Sequence, residues 1–468
     1  MTLTDQILTA RPNHKRTREG DQPVSIGAER MSKQLQDADL DELIFVATTG
    51  IAARTEGRSM RLADFDESSS LGWVPANLGI GSLGHIVSDI PYGSTGDLRL
   101  KPDLGSLARV DGIPGRPPLN IVFADLVNTD GSPWENCPRT FLRNAVEELH
   151  TEFGITTRSS FEHEFVDVSA TGDHHPFSLQ AFRRAEPIGS QLMTVLHRAG
   201  LDPETWLPEY GRHQYEITVA PTDPLSAADR AILVRDIVYD LFDAHGREAT
   251  FAPVVAPGET GNGVHVHFGL DDADGNTLVF DPARPARLSR VAGSFAAGIV
   301  RHGPAMAALF APLATSYLRL APHNWSTSRA FLGLQNREAL LRICPTNEID
   351  GRDPSSQLHF EFRGGDIGAN PWILLGMILR AGMQGLREEL ETPDIIVGEL
   401  DLDNRHAGLT KLPRDLEAAL DTLKADELVS GWFSPSFLAT FDAVKRDEFA
   451  SVQARPLAEQ CEVYARVY

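Results

Sequence analysis

Phe161-Glu162-His163-Glu164-Phe165 is the stretch that most limits what this chain can build. Acids at i and i+2, set between apolar residues, stand on one face of a strand. Two carboxylates aimed the same way repel each other, and burying them without a counter-ion is costly. Such a strand either lies at a solvated edge or faces something positive. Three further segments tip the choice toward a built site. Glu209 and Glu216 lie seven residues apart and lead into Ile217-Thr218-Val219. Gly263-Val264-His265-Val266-His267 turns and then alternates, placing both imidazoles on one strand face. A later strand region holds Arg337, Arg342, Glu361 and Arg363.

The 468 residues, 42% hydrophobic and 23% charged, leave room for two domains with a sizeable core. A net charge of -22 disfavours nucleic acid and anionic membranes as partners and suits metal-binding carboxylates. Cys137, Cys344 and Cys461 are too few and too scattered for a disulfide framework or a cysteine-zinc site, so a reducing cytoplasm is the expected compartment. The first thirty residues are polar and match neither a signal peptide nor a membrane span.

Along the chain, residues 1–36 read as a flexible leader. A first domain over 37–132 opens with the apolar run Leu43 to Ala47 and closes with Leu119 to Ala124, and the Gly-, Ser- and Asp-rich stretch from Gly50 to Asp103 reads as loop. The second domain, 133–468, begins with a helix opened by Pro138 and stopped by Gly154, with Leu142, Ala145, Val146, Leu149 and Phe153 at helical spacing. Further helices are expected around Gly189–Ala199, Ser226–His245, Leu288–Phe310 and Ile373–Leu390, with a strand starting at Thr250 and a helical tail from Leu412. Strands separated by long helices, with the suspect residues on strands, point to a mixed α/β domain carrying its site on one sheet face. Strand order is not readable.

Five acids (Glu162, Glu164, Glu209, Glu216, Glu361) with His265 and His267 suit hard divalent ions, Mg²⁺ or Mn²⁺, better than zinc or copper. Arg319, Arg337, Arg342 and Arg363 are the complement, because guanidinium forks bind carboxylates and phosphates bidentately. Metals on one side and arginines on the other suggest ATP-dependent activation of an acid.

Five ordered blocks resemble those of the glutamine synthetase superfamily. Phe161 to Phe165 is similar to the E-x-E-F strand, Glu209 with Gln214-Tyr215-Glu216 to the second acidic segment, and Gly263 to His267 to G-M-H-x-H. Asn336-Arg337 through Arg342-Ile343, and Glu361-Phe362-Arg363 through Asn370-Pro371, resemble the last two. The resemblance implies an α+β fold, with a small N-terminal β-grasp domain before a large catalytic domain of curved antiparallel sheet and flanking helices. It implies two or more metals per site, Mg²⁺ or Mn²⁺. Glu164, Glu209 and Glu216 would hold one metal, and Glu162, His265 and Glu361 the other. Gly261, Arg319 and Arg363 would bind the substrate glutamate, Arg337 and Arg342 the transferring phosphoryl group, and His267 would lie near ATP. Family sites are shared between subunits of a ring, a dodecamer by resemblance.

The departures from the family pattern cluster at the ammonia site. Trp325 stands where ammonia-using enzymes place a closing glutamate, and His174, His175 and Phe177 occupy the region of a pocket tyrosine. Phe65-Asp66-Glu67-Ser68-Ser69 resembles F-D-G-S-S, making Asp66 a candidate base for the amine, with Asp97 a second. On the nucleotide side His359 replaces an arginine and Gly269 a serine. The expectation is a ligase joining glutamate to an organic amine that occupies the Trp325 site; ammonia is the alternative. A non-catalytic structural relative is disfavoured by the complete ligand set.

Overall fold

The computed structural model describes residues 41–172, 175–322 and 325–468, together with 35, 38 and 39. The expected leader, apart from Leu35, and His174 lie outside the described residues.

A first sheet is built from β1 (Leu43–Thr49), β2 (Thr55–Arg61), β3 (Leu71–Trp73), β4 (Leu98–Pro102), β5 (Ala108–Val110) and β6 (Leu119–Asn128) in the order β2-β1-β6-β4-β3, with β5 also against β6. β1 and β6 run parallel and the other pairs antiparallel. β6 is buried continuously from Asn120 to Ala124, as a central strand covered on both faces should be. The stretch from Gly50 to Asp103 is not simply loop, since β2, β3 and β4 lie within it. β2, Thr-Glu-Gly-Arg-Ser-Met-Arg, has no apolar alternation, because as an edge strand it buries neither face. Its partner makes it a strand, in a register running from Leu43 opposite Arg61 to Thr49 opposite Thr55.

Helix α1 (Pro138–Phe153) begins with Pro at its first turn and ends at Gly154, whose φ of 68° needs glycine's freedom and whose N–H reaches the His150 carbonyl at 2.8 Å. The long helices α2 (Pro224–Ala244) and α3 (Arg290–Phe310) back the second sheet, and α4 (Pro371–Arg387) packs on α1, α2 and α3. α3 and α4 approach so closely that a Cβ on Gly298 or Gly385 would strike the other helix's backbone.

That second sheet holds β7 (Thr156–Asp167), β8 (Pro203–Pro208), β9 (Gln214–Val219), β10 (Ala249–Thr250), β11 (Val264–Asp271), β12 (Leu332–Leu334), β13 (Leu341–Ile343), β14 (Phe360–Phe362) and β15 (Ile395–Val397). The order is β15-β12-β13-β14-β11-β7-β9-β8, with β10 beside β7. Pairing is antiparallel except where β12 runs parallel to β13 and β15. The strand expected from Thr250 reduces to the two residues of β10. On β7 the alternation separates two environments. Phe161, His163 and Phe165 are buried, and the Phe165 ring meets Phe242 of α2 edge-on at 5.4 Å. Glu162 and Glu164 are half-buried on the opposite face.

Candidate active site

Strand register assembles the charged residues. Glu216 of β9 lies opposite Glu164 of β7, Glu162 opposite His265 of β11, and His267 opposite Glu361 of β14. Arg342 of β13 follows opposite Glu361. Since i and i+2 share a face, one row of side chains crosses five strands.

The carboxylate oxygens and imidazole nitrogen of Glu162, His265 and Glu361 lie within 4.8 Å of one another, as do oxygens of Glu162, Glu164 and Glu216. His265 Nδ1 stands 2.7 Å from Glu162 and 3.7 Å from Glu361. Glu361 is also bracketed by Arg342 at 2.6 Å and by Arg363. The Gly263 N–H donates to Glu164 at 2.6 Å. Glu209 shares the cavity but turns one oxygen to the Tyr210 N–H at 2.7 Å, and Glu162 takes its place in the tight acid group.

Electrostatics divide this row. Burial opposes ionisation of Glu361, but Arg363, His267 and His265 outweigh it and hold the carboxyl well below the usual range. Glu162 is likewise held low by its hydrogen bonds to His265 and His267, against burial. Glu216 goes the other way: burial first, then Glu162, Glu164 and Glu209, push it up to about 10. Glu209 rises through burial and the charge of Glu164. A cation placed among Glu162, Glu164 and Glu216 would relieve this repulsion, and the all-oxygen donor set fits Mg²⁺ or Mn²⁺.

These residues line a cavity of about 540 Å³ that also contains Gly261, Arg319, Trp325, Arg337 and Arg342. Arg319 is buried, with one terminal nitrogen, Nη2, donating to the Gly364 and Gly365 carbonyls at 2.7 and 2.8 Å. Its Nε and that of Arg342 are buried donors without a hydrogen-bond partner among the described residues. A buried, unpaired donor costs roughly 1–3 kcal/mol, which an anionic ligand would recover. Arg363 donates to the Arg337 and Trp325 carbonyls at 2.8 and 3.2 Å, tying the arginine cluster to the cavity mouth.

At the mouth Trp325, 67% exposed, stacks on Tyr210 with ring centroids 6.2 Å apart, and Phe177 lies on the same lining. Tyr210 and the exposed Glu259 were not singled out in the sequence; an aromatic beside the acidic Glu209 was the available signal for the first. Asp66 and Asp97 are exposed in the first-sheet region and line neither this cavity nor the next. The Asp66 carboxylate accepts from the Ser68 hydroxyl at 2.7 Å and the Ser68 N–H at 2.8 Å, which lowers its pKa.

A second cavity, about 490 Å³, lies beyond Glu162 and His267, which line both. Its wall includes Arg158, Asn347, His359 and Gly269.

A metal-supporting acid row, buried arginine donors and paired cavities on one mixed, mostly antiparallel sheet define a ligase of the glutamine synthetase type, and the chain belongs to that family. Residues 30–134 match the glutamine synthetase N-terminal domain and residues 135–464 the glutamine synthetase catalytic domain. The family as a whole depends on ATP and divalent metal. A gamma-glutamylpolyamine synthetase of Streptomyces coelicolor is 32% identical over 379 residues, covering 78% of this chain and 80% of that protein. A glutamine synthetase of Halobacterium salinarum is 29% identical over 377 residues, covering 76% and 80%. The crystal structure of a glutamine synthase homologue superposes with a TM-score of 0.85 at 40% identity, over 92% of this chain and 99% of that one. The β-grasp and catalytic-domain architecture implied by the sequence blocks is the one observed. No helix among the described residues is long and apolar enough to cross a membrane.

Proposed function

We propose that this protein activates the γ-carboxylate of glutamate with ATP and transfers the acyl group to an organic amine. The observation that carries the amine is the aromatic mouth, where Trp325 stacks on Tyr210 beside Phe177 over the acid-lined cavity. Ammonium is small and strongly hydrated, whereas an alkylamine gains about 0.8 kcal/mol for each CH₂ it buries. A tryptophan face also attracts a protonated amine, by roughly 0.5–2 kcal/mol. The relationship to a gamma-glutamylpolyamine synthetase favours the same reading, and the relationship to glutamine synthetases keeps ammonia as the alternative.

In this reading Glu162, His265 and Glu361 hold one Mg²⁺ or Mn²⁺ and Glu164, Glu209 and Glu216 another. The bound metals supply charge neutralisation for the phosphates and the carboxylate. Arg319, Arg363 and the Gly261 backbone orient glutamate, and Arg337 and Arg342 stabilise charge on the phosphoryl group. ATP occupies the second cavity, with His267 at the seam. The carboxylate oxygen bonds to the γ-phosphorus as ADP leaves; the amine nitrogen then bonds to the acyl carbon as phosphate leaves, and its proton passes to Asp66 or Asp97. Both aspartates stand outside their own chain's cavities, so they serve a neighbouring copy in a ring, and the first domain spans 37–132 with the catalytic domain at 133–468.

Competition between ammonium and a panel of primary amines, read as ADP release, tests the amine. An alkyl- or polyamine is expected to win in kcat/KM, and Trp325→Glu to shift the preference toward ammonium. Ammonium winning in the wild type, with the substitution neutral, overturns the reading. Mixing Glu164→Ala with Asp66→Ala and Asp97→Ala chains tests the ring, with partial recovery of activity expected.

A further inference from the structure

One step further along the same sheet face, beyond the carboxylate row, lie His267, Cys344 and His359. The Cys344 N–H donates to the His359 carbonyl at 3.0 Å, which sets these two residues opposite each other just past the β13–β14 pair. His359 shares its face with Glu361 two residues on, and Cys344 shares its face with Arg342. The thiol and the two imidazoles offer ligand atoms within 4.8 Å of one another.

The imidazole orientations matter more than the proximity. His359 Nδ1 lies 2.6 Å from the Gln357 carbonyl, an oxygen that only accepts, so Nδ1 carries the hydrogen and Nε2 keeps a free lone pair. His267 Nε2 is buried 3.5 Å from the Glu162 carboxylate without a hydrogen-bond partner among the described residues, and its Nδ1 points at His359 Nε2. These two nitrogens meet at 3.0 Å, and because His359 Nε2 is bare the hydrogen between them is carried by His267 Nδ1 in the metal-free protein. Lone pairs at that distance repel unless a proton or a metal lies between them. An oxygen acceptor behind a ligating imidazole, as the Gln357 carbonyl stands behind His359, orients the histidine toward a metal. Cys344 Sγ stands 3.9 Å from His267 Nδ1, buried, on the third side. For a tetrahedral zinc with bonds of about 2.0–2.3 Å, ligand atoms should be roughly 3.3–3.6 Å apart. Small side-chain adjustments convert the observed spacing to that value. Gly269, two residues along β11 from His267, lines the second cavity with both histidines and adds no side chain to it.

We propose that Cys344, His267 and His359 form a transition-metal site, for Zn²⁺ or a cation of similar softness, whose occupancy obstructs the second cavity. On binding, the Cys344 thiol and His267 Nδ1 each release a proton to solvent and both imidazoles donate lone pairs; no electron is transferred. Thiolate and imidazole select such a cation over Mg²⁺, while the neighbouring carboxylate row has the opposite preference. Binding of the cation stands independently of the proposed reaction; only the obstruction rests on placing the nucleotide in the second cavity.

The test is a Co²⁺ titration of the full chain in excess Mg²⁺, which keeps the carboxylate row occupied. One equivalent is expected to produce a thiolate-to-cobalt charge-transfer absorption and tetrahedral visible bands, both displaced by one equivalent of Zn²⁺. Cys344→Ser should abolish the charge-transfer band, Cys461→Ser should keep it, and His359→Ala should weaken cobalt affinity by about 10- to 100-fold. Should Cys344→Ser fail to fold, His359→Ala carries the comparison. No charge-transfer band in the wild type, or one that survives Cys344→Ser, overturns the site. Zinc should also weaken ADP binding about tenfold in the wild type and not in Cys344→Ser. A cobalt band with unchanged ADP affinity overturns the obstruction, whereas a cobalt band in a chain that binds no nucleotide at all condemns the placement of ATP instead.

Discussion

Two clusters of charge, one centred on Arg139 of α1 and Asp229 of α2 and the other on the acid row of the second sheet, are finished differently. In the first, Arg139 of α1, 1% exposed, is ringed by Asp229 at 2.8 Å, Asp103 at 2.9 Å and Asp125 at 3.1 Å, with Arg143 also contacting Asp103 and Asp125. The Trp372 indole N–H donates to Asp229 at 2.8 Å. Every acid there has a guanidinium from the chain itself, and the cluster fastens β6 of the first sheet to the helices behind the second. In the second cluster Glu162, Glu164, Glu209 and Glu216 face one another, and Glu216 is pushed up to about 10 by burial and its neighbours. A cluster closed by its own counter-charges holds a fold together; one left with excess charge is shaped for something that arrives from outside.

The sharpest way to break this contrast is to remove one acid from each cluster. Glu164→Ala should reduce turnover by roughly 10²–10³-fold, while the melting temperature of the metal-free protein stays level or rises because a like charge has gone. Asp229→Ala should do the reverse. Leaving Arg139 buried without its closest partner costs about 3–5 kcal/mol, seen as a lower urea midpoint, with turnover per folded molecule retained. Comparable destabilisation by both substitutions would erase the distinction.

The pH dependence sharpens it further. An acid whose folded pKa is raised binds its proton more tightly when folded, so its stabilising contribution is full below the unfolded value near 4.5 and is lost as pH rises through the folded value. For Glu216 that window extends to about 10. His267, raised to about 10 mainly by Cys344 and Glu162 against burial, has the same sign from about 6.5 upward. Glu56, pushed up to about 7 by burial, is spent by pH 7.5, and His163, lowered to about 3 by burial, acts only below 6.5. Between pH 7.5 and 9.5 the metal-free protein should therefore lose stability with slope up to about 1.4 kcal/mol per pH unit for each such group. Glu216→Gln and saturating Mn²⁺ should each remove the Glu216 share of the slope and leave that of His267; an identical melting-temperature profile for all three would refute the assignment of the slope to this cluster.

What was legible in the chain follows the same division. Helix α1 could be read from Pro138 to Gly154 because a propeller of apolar positions and two terminal signals coincide there. The acids and imidazoles of the site could be read as same-face pairs because a strand repeats every two residues. Their joining into one row could not, since it depends on β7 pairing with β11 across about a hundred residues of chain. β2 is not legible in the sequence because a polar edge strand has no pattern of its own. Tyr210 escaped because its meaning lies in Trp325, a partner on a different loop. Cys344 stands isolated in the sequence for the same reason: its neighbours His267 and His359 lie 77 and 15 residues away in the chain and side by side in the sheet.

The smallest expected effect concerns the aromatic mouth, where both rings are exposed and each alone contributes little. Tyr210 and Trp325 lie nearly parallel, at 16°, with Trp325 held at a φ of 52°, an unusual conformation for a bulky residue. If the stack forms one wall for the alkyl part of the amine, removing either ring should raise the amine KM by a few-fold and leave ADP formation at saturating amine nearly unchanged. Removing both should then cost less than the product of the single effects, because either truncation already breaks the stack. The coupling expected from a double-mutant cycle of Tyr210→Ala and Trp325→Ala is about 0.5–1.5 kcal/mol. Strict additivity would mean that the two rings act separately, and an unchanged amine KM in the double variant would move the amine away from this mouth altogether.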